Sequence, residues 1–265
     1  MPRIVLDGAT ISYVDEGRGD ALVLLHGWIG SGALWDLMIP ELARDFRVVA
    51  PDLPGHGGSG VPAAFSFDLE GFSRFLEELR EALDIPHFIP VGHSMGGSIA
   101  LHYAARYPHR VSALVLIDTP ARTRSISWPA RLPVLEWALG LVHRFWGPRI
   151  VAAAIRSSVR HPERLPSEWL RNAVARACSL DRRAFLETTR MLRHLDLGDE
   201  LERVRAPALL IHGEEDRSVR LSEAERLRDS LPGARLRVIP DCGHCPNYEY
   251  PGEVCGMIRE FLSPP

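Results

Sequence analysis

Short apolar runs alternate with helix-like segments along most of this 265-residue chain, and this alternation limits its possible folds more than any other feature. The runs that are typical of strands buried on both faces are ALVLLHG, FRVVAPD, FIPVGHS and VSALVLID. Between the second and third runs, apolar residues recur at steps of three and four from Phe67 to Leu83, which predicts an amphipathic helix. Repeated strand–helix units predict an α/β fold with a mostly parallel sheet covered by helices on both faces.

The alternation stops after Asp118 and resumes about eighty residues later. From Thr119 to Leu197 the chain is rich in Arg, prolines divide it into helix-length pieces, and no strand-like run occurs. Strand-like and helix-like segments then return with APALLIHGEED and ARLRVIPD. We therefore expect residues 1–118 and 198–265 to form one core domain, with residues 119–197 inserted into it as a helical cap.

The composition excludes several kinds of partner. Basic and acidic side chains nearly balance, 31 against 34, and no basic face or tail predicts binding to nucleic acid. No apolar run reaches the roughly 18 residues of a membrane span, and the N-terminus lacks the pattern of a secretory signal. Four cysteines are too few for a disulfide framework in a chain of this size. We expect a cytoplasmic protein, either a monomer or a homodimer.

The most specific local signal is VGHSMGG, in which Gly92 to Gly96 fits the pattern G-x-S-x-G where an apolar strand meets a helix. Glycines two positions to either side of Ser94 leave room for a sharp, strained turn that exposes the serine hydroxyl. The adjacent helix N-terminus favours developing negative charge. The pattern predicts that Ser94 is a nucleophile; the alternative is a glycine-rich turn that needs a small residue.

A serine hydroxyl needs a general base, and the base needs a third group to orient it. The segment LRVIPDCGHCPNYEYP places His244 in the loop after the last predicted strand, and LLIHGEED places Asp216 in the loop after the preceding one. The chain order Ser94, Asp216, His244 is the one expected for a triad on a doubly wound sheet. The alternative acids are Glu214, Glu215 and, at the end of another strand, Asp118.

Two backbone N–H groups are candidates for an oxyanion hole. The N–H of Met95 directly follows the predicted nucleophile, and that of Trp28 follows the turn at the end of LVLLHGW. Because this role belongs to the backbone, the indole of Trp28 could instead shape the pocket. Three further histidines lie at strand ends or in loops near the predicted site and are interpreted as structural or supporting residues: His26, His56 and His93.

The tetrapeptide Cys-Gly-His-Cys around His244 matches the redox centre of protein disulfide isomerases. A dithiol centre at Cys242 and Cys245 is disfavoured because the segment lies near the C-terminus, is preceded by Asp241 and is followed directly by Pro246. A zinc site is disfavoured because the three ligands are crowded together and no second Cys/His pair has suitable spacing. We therefore expect two cysteines that flank a catalytic base, with no metal and no cofactor.

The motifs LLHGW, VVAPDLPGHGGS, VGHSMGG, LLIHGEED and CGHCPNYEYP together resemble the α/β-hydrolase superfamily, and the likeness covers almost the whole chain. The resemblance implies an eight-stranded, mostly parallel sheet with a helical cap inserted after the sixth strand. Epoxide hydrolases and haloalkane dehalogenases carry Asp where this chain has Ser94, which argues against both. The implied activity is that of a serine hydrolase of the carboxylesterase type.

Several other activities remain open on the same motifs. Carbon–carbon bond hydrolases of the meta-cleavage-product type, lactonases and perhydrolases share them. A binding protein without catalytic activity is the alternative from another class, because a fold does not guarantee a reaction.

The predicted cap carries many apolar side chains, including Trp128, Trp137 and Trp146, and they cover more than one face of a helix. One interpretation is that this surface roofs the site and favours a small-molecule ester with an apolar acyl or aryl portion. The alternative is packing of the cap against the core or against a second copy of the chain.

Overall fold

The computed structural model describes residues 1–126 and 147–263. The strands are β1 (Arg3–Leu6), β2 (Ala9–Glu16), β3 (Ala21–Leu25), β4 (Arg47–Pro51), β5 (Ile89–His93), β6 (Leu114–Ile117), β7 (Ala208–Gly213) and β8 (Arg235–Ile239). The α-helices of the described residues are α1 (Ile39–Leu42), α2 (Leu69–Ala82), α3 (Met95–Arg106), α4 (Pro148–Ser158), α5 (Ser167–Ala177), α6 (Arg182–Arg193), α7 (Leu221–Ser230), α8 (Pro246–Glu249) and α9 (Pro251–Leu262).

The strands form one eight-stranded sheet in the order β1-β2-β4-β3-β5-β6-β7-β8. From β4 to β8 all neighbours in this order are parallel, whereas β2 is antiparallel to both β1 and β4. The predicted eight-stranded, mostly parallel sheet is confirmed. The sequence pattern misses β1, because this strand has four residues and only Leu6 is buried.

The parallel strands bring several loops to one edge of the sheet. β3, β5, β6 and β7 are buried along their whole length, as their apolar runs predict. β8 lies at the edge of the sheet and exposes Arg235 and Arg237, and such charges oppose pairing with another chain. The loops after β3, β5, β6, β7 and β8 all leave from the carboxyl edge, and these loops carry the predicted site residues.

Helices cover both faces of the sheet. Phe72, Phe75 and Leu79 of α2 pack with Ile99 of α3 in the core on one face. α1 and α9 pack on the other face. The helix predicted from Phe67 to Leu83 begins two residues later, because the side chain of Asp68 caps α2 by accepting a hydrogen bond from the N–H of Gly71 at 2.7 Å.

Between β6 and β7 the described residues contain α4, α5 and α6, which contact the core at several points. Apolar residues of α4 and α5 form a separate buried cluster that includes Leu34 and Tyr248 from the core. The indole N–H of Trp169 donates to the carbonyl of Ala33 at 3.0 Å. Arg176 pairs with the fully buried Asp52 at 3.1 Å. The predicted roof residues Trp128, Trp137 and Trp146 lie outside the described residues.

None of the described helices combines the length and the apolar character that crossing a membrane requires.

Candidate active site

The turn between β5 and α3 holds Ser94 in strained backbone geometry, with φ 51° and ψ −116°. Such a conformation costs a non-glycine residue about 1–3 kcal/mol. Both flanking glycines are required by packing. A Cβ on Gly96 would lie 2.1 Å from the carbonyl oxygen of Leu25, and one on Gly92 would lie 2.4 Å from that of Gly96. The N–H of Ser94 donates to the carbonyl of Ile117 at 2.9 Å, which anchors the turn to β6.

Three side chains from three different loops form one hydrogen-bonded chain. The Nε2 atom of His244 lies 3.0 Å from the Oγ atom of Ser94. The Nδ1 atom of His244 lies 2.7 Å from the Oδ2 atom of Asp216. Because the carboxylate only accepts, Nδ1 carries a proton, and Nε2 is the ring atom that faces the serine. This arrangement can remove a proton from the Ser94 hydroxyl.

The surroundings of Asp216 keep its carboxylate ionised. Burial acts to raise the pKa of Asp216, but the charge and the hydrogen bond of His244 outweigh it and hold the pKa below its ordinary value. The second oxygen, Oδ1, accepts from the N–H of Ser218 at 2.7 Å and from that of Val219 at 3.0 Å. These bonds fix the carboxylate in the orientation that His244 needs.

Among the described residues, none of the other candidate acids is hydrogen-bonded to His244. Glu214 is exposed, and Glu215 pairs with Arg160 at 2.8 Å. Asp118 is fully buried, and its Oδ1 accepts from the N–H of Gly213 at 2.9 Å. Burial and the nearby carboxylate of Asp216 raise the pKa of Asp118 well above its ordinary value. These surroundings favour the neutral form of the Asp118 carboxyl group.

His212 lies between the two aspartates. Its Nδ1 atom is 3.2 Å from Oδ1 of Asp118, and its Nε2 atom is 3.8 Å from Oδ2 of Asp216. Burial lowers the pKa of His212. The sequence pattern gave no signal for this residue, because a histidine inside a buried strand is recognised only by what packs beside it.

The loop after β3 passes directly beside the serine. A Cβ on Gly27 would lie 3.3 Å from Cβ of Ser94, so the N–H of Trp28 belongs to a loop in close contact with the nucleophile turn. Met95 is the first residue of α3, so its N–H has no partner inside the helix. Both N–H groups thus belong to the two loops that meet at Ser94, and their role in an oxyanion hole remains a prediction.

The ring of His26 holds the loop after β3 through two hydrogen bonds, which fix the position of its proton. The backbone N–H of Leu53 donates to its Nε2 atom at 3.0 Å, so the ring proton is on Nδ1. Nδ1 then donates to the carbonyl of Gly27 at 2.9 Å. Burial and the neighbouring His56 lower the pKa of His26 well below its ordinary value, so the ring stays neutral.

The ring of His93, the residue directly before the predicted nucleophile, holds the backbone of His244. Its Nε2 atom donates to the carbonyl of His244 at 2.7 Å, and the two rings lie 5.0 Å apart. Burial, followed by the proximity of His244, lowers the pKa of His93 to about 3. The structure therefore makes His93 a neutral structural donor, in agreement with the interpretation from the sequence.

We expect acid to destabilise the protein partly through these buried imidazoles. Burial lowers the pKa of His56 to about 4, whereas a histidine in an unfolded chain titrates near 6.5. Below about pH 6.5 the unfolded state therefore binds more protons than the folded state, so the free energy of unfolding falls as the pH falls towards about 4. One pKa unit corresponds to about 1.4 kcal/mol, so His56 alone contributes a loss of about 3 kcal/mol.

Urea unfolding at a series of pH values measures this loss, with His56→Asn as the matched variant. The asparagine amide can replace the ring N–H that donates to the carbonyl of Pro54 at 3.0 Å, but it does not titrate. The variant should lose less stability than the wild type between pH 6.5 and 4. Equal losses would show that His56 is not held neutral in the folded state.

A cavity of about 340 Å³ opens above Ser94 and His244. Its walls include residues of α4, α5 and α6, which lie between β6 and β7 in the chain. The apolar lining of the described residues includes Ile126, Ile155, Ala173, Leu192 and Val219. Arg217 is the only Arg, Asp or Glu among the described residues that line it. The sequence pattern did not single out Arg217, because only the fold turns this residue towards the cavity.

The two cysteines that flank His244 are buried and unpaired with each other. Burial raises the pKa of Cys245 well above its ordinary value, and burial together with Glu249 does the same for Cys242. A redox-active cysteine needs an accessible thiolate with a lowered pKa. The geometry therefore favours the interpretation that these cysteines are structural.

Among the residues that the structure describes, two groups of side chains place possible metal-ligand atoms within 4.8 Å of one another: His93, Asp118 and His244, and Asp118, His212 and Asp216. Each group shares a residue with the chain of hydrogen bonds from Ser94 to Asp216. A metal ion at either position would have to replace one of those bonds. We therefore assign these side chains to hydrogen bonding.

Comparison with known proteins identifies the family of this chain. The sequence profile of the alpha/beta hydrolase fold matches residues 20–251. The chain is 31% identical to a pimeloyl-[acyl-carrier protein] methyl ester esterase of Nitrosomonas europaea, over 92% of this chain and 96% of that protein. It is 34% identical to a protein of the same name from Aromatoleum aromaticum, over 91% of this chain and 97% of that protein.

A similar solved structure is that of a thermophilic esterase from Thermogutta terrifontis, with a TM-score of 0.85 and 27% sequence identity. The alignment covers 99% of this chain and 98% of the esterase. These relatives support a hydrolase. Since the matched profile and the sheet both extend through most of the chain, this protein belongs to the α/β-hydrolase fold family.

Proposed function

We propose that this protein is a serine hydrolase that cleaves a carboxylic ester or a related acyl compound through an acyl-enzyme intermediate. The observation that carries the proposal is the hydrogen-bonded chain from Ser94 through His244 to the buried Asp216, at the base of an apolar cavity. Similarity to methyl ester esterases over almost the whole chain supports the same reaction type.

In the first half-reaction, Oγ of Ser94 attacks the acyl carbon while Nε2 of His244 takes the hydroxyl proton. Asp216 accepts the hydrogen bond from Nδ1 and stabilises the imidazolium that forms. The N–H groups of Trp28 and Met95 would stabilise the oxyanion of the tetrahedral intermediate. When this intermediate collapses, the carbon–oxygen bond to the alcohol breaks and His244 returns the proton to the departing alkoxide.

In the second half-reaction, His244 takes a proton from water, and the resulting hydroxide attacks the ester carbon of the acyl-Ser94 group. Collapse of the second tetrahedral intermediate releases the carboxylic acid, and His244 returns the proton to Oγ of Ser94. Each proton that the base accepts is thus given back within the same half-reaction.

We propose that residues 119–197 act as the cap of this site. The support is that Ala154, Ile155, Ala173 and Leu192 line the cavity from three helices of this segment. A lining of this kind is suited to an apolar acyl or aryl group.

A substrate panel tests the proposed reaction. It contains p-nitrophenyl esters of increasing chain length, methyl esters, lactones and a vinylogous 1,5-diketone. Turnover of esters with an initial burst of p-nitrophenol is expected. Failure to cleave any ester while the diketone is cleaved would replace acyl–oxygen cleavage with carbon–carbon cleavage, and failure with every compound would favour a binding protein.

We expect Arg217 to favour substrates that carry a negative charge away from the scissile ester. Arg217 lines a cavity with no other Arg, Asp or Glu among the described residues, and its guanidinium would attract a carboxylate at the far end of an acyl chain. Arg217→Ala should raise KM about fivefold for a monomethyl ester of a linear dicarboxylic acid, which corresponds to about 1 kcal/mol for a solvent-accessible charge. The dimethyl ester of the same acid should be unaffected.

The matched control is Arg220→Ala, which removes a nearby exposed arginine that does not line the cavity. It should leave KM for both esters unchanged. If Arg217→Ala alters KM for the two esters equally, the side chain shapes the cavity and does not select charge.

A further inference from the structure

The carboxylate of Glu249 joins two segments that lie far apart in the sequence. Its Oε1 atom accepts a hydrogen bond from the backbone N–H of Gly243 at 2.9 Å. Its Oε2 atom accepts from the N–H of Arg160 at 2.7 Å and from that of His161 at 3.3 Å. Gly243 directly precedes His244, whereas Arg160 and His161 follow α4 in the insertion. One side chain therefore holds the loop of the candidate base against the insertion.

Backbone atoms bring the same two segments into direct contact. The N–H of His244 donates to the carbonyl of Ser158, the last residue of α4, at 2.8 Å. A Cβ on Gly243 would lie 2.8 Å from both the carbonyl oxygen of Ser158 and the nitrogen of Arg160. Because backbone approaches this close leave no room for a side chain, the segments have little freedom to slide past each other.

Side chains next to His244 complete this junction. The hydroxyl oxygens of Ser158 and Tyr248 lie 3.1 Å apart, and the thiol of Cys245 lies 3.4 Å from the Ser158 hydroxyl. The thiol of Cys242 lies 3.8 Å from Oε1 of Glu249. The two cysteines of the Cys-Gly-His-Cys sequence thus contact the junction from either side of the base.

A carboxylate suits this position better than a neutral side chain. Three backbone N–H groups converge on it, and only an ionised carboxylate offers two oxygens that both accept. Hydrogen bonds to a charged acceptor are also shorter and stronger than bonds between neutral groups. Removing the carboxylate would leave the partly buried N–H groups of Gly243 and His161 without this partner.

We propose that Glu249 is a positioning residue, which fixes the His244 loop against residues 158–161 of the insertion. The insertion is then needed for the rate of the chemical step as well as for the shape of the cavity. This inference rests on the proposed role of His244 as the general base. Its physical basis is that a displacement of about 1 Å in a reacting group can cost about 100-fold in rate.

The test compares Glu249→Ala and Glu249→Gln with the wild type on a p-nitrophenyl ester. Rates are expressed per reactive serine, counted by titration with an organophosphonate, so that unfolded protein does not contribute. Glu249→Ala should lower kcat about 10- to 100-fold and change KM less than threefold. Glu249→Gln should recover part of the loss, because its one carbonyl oxygen can hold one of the two segments.

Asp241→Asn is the matched control. The Asp241 carboxylate pairs with His161 at 2.6 Å and with Arg160 at 3.5 Å, so it contacts the same segment of the insertion. It does so at the exposed surface, where an ion pair contributes little, and it makes no bond to the N–H groups that Glu249 holds. We expect kcat for Asp241→Asn to stay within twofold of the wild type.

A second measurement needs no variant. Hydrogen exchange on the wild type should find the amides of Gly243, Arg160 and His161 protected, although they lie outside regular helices and strands. Rapid exchange at these amides, or an unchanged kcat for Glu249→Ala, would overturn the inference. Failure of the wild type to react with the organophosphonate or to turn over ester would instead overturn the proposed function, so the two failures are distinguishable.

Discussion

Replacing Ser94 with Ala is expected to lower kcat for ester hydrolysis by about 10⁶-fold, the size of effect seen when a triad nucleophile is removed. The variant lacks the atom that forms the acyl-enzyme, and no other hydroxyl is hydrogen-bonded to His244 in the described part of the chain. The fold should be unaffected, because Ser94 is only partly buried and its side chain bonds only to His244 among the described residues. The free energy of unfolding should stay within about 1 kcal/mol of the wild type.

Labelling with an organophosphonate tests the role of Ser94 without depending on the choice of ester. The wild type should gain one adduct, which peptide mass spectrometry should map to Ser94, and Ser94→Ala should gain none. Ser230→Ala is a suitable control, since it removes an exposed hydroxyl in α7 that donates to the carbonyl of Arg226. An adduct on another residue, or more than 1% of wild-type activity in Ser94→Ala, would contradict the assignment.

The second large effect is expected from Asp216→Asn, with a loss of about 10⁴-fold in kcat. An asparagine amide at this position would present a donor to Nδ1 of His244 or force the ring into the other tautomer. Nε2 would then carry the proton and could not accept one from Ser94. The hydrogen bonds from Ser218 and Val219 can still be accepted by the amide oxygen, so the loop should keep its shape.

Asp118→Asn is the matched variant and should lower kcat less than tenfold. Burial and the neighbouring Asp216 raise the pKa of Asp118 and so favour its neutral form, for which an amide is a close electrostatic substitute. The amide oxygen can still accept from the N–H of Gly213. Steady-state kinetics on one ester compares the two variants. A larger loss in Asp118→Asn than in Asp216→Asn would transfer the role of the acid to Asp118.

The strands that are buried on both faces could be predicted, because such burial makes their sequences continuously apolar. β3, β5, β6 and β7 appear in the sequence as short apolar runs for this reason. β1 does not appear, because a short edge strand with one buried residue carries no periodic signal. The two ends of α2 differ by a residue or two from the predicted helix, since a capping side chain decides where a helix begins.

The candidate site was predictable where a residue is tied to a local backbone pattern. The two glycines around Ser94 mark a tight turn with no room for a larger side chain at either position. Ser94 could therefore be proposed as the nucleophile from a motif of five residues. The sequence favoured Asp216 among three carboxylates near the end of β7 but could not exclude the other two, because adjacent residues in one loop share the same pattern. The fold distinguishes them. Among the carboxylates of the described residues, only that of Asp216 lies within hydrogen-bonding distance of His244.

The amino-acid sequence by itself determined the α/β architecture and the elements that carry Ser94, Asp216 and His244, because periodic burial and glycine-restricted turns are local properties of a chain. Only the tertiary structure decided which carboxylate meets the imidazole, that burial raises the pKa of Asp118, and that Glu249 bonds both to Gly243 and to Arg160. These facts depend on distances between residues that lie 28, 95 and 89 positions apart in the chain. Hydrogen bonding and desolvation act over a few ångströms in space, and sequence patterns do not record such distances.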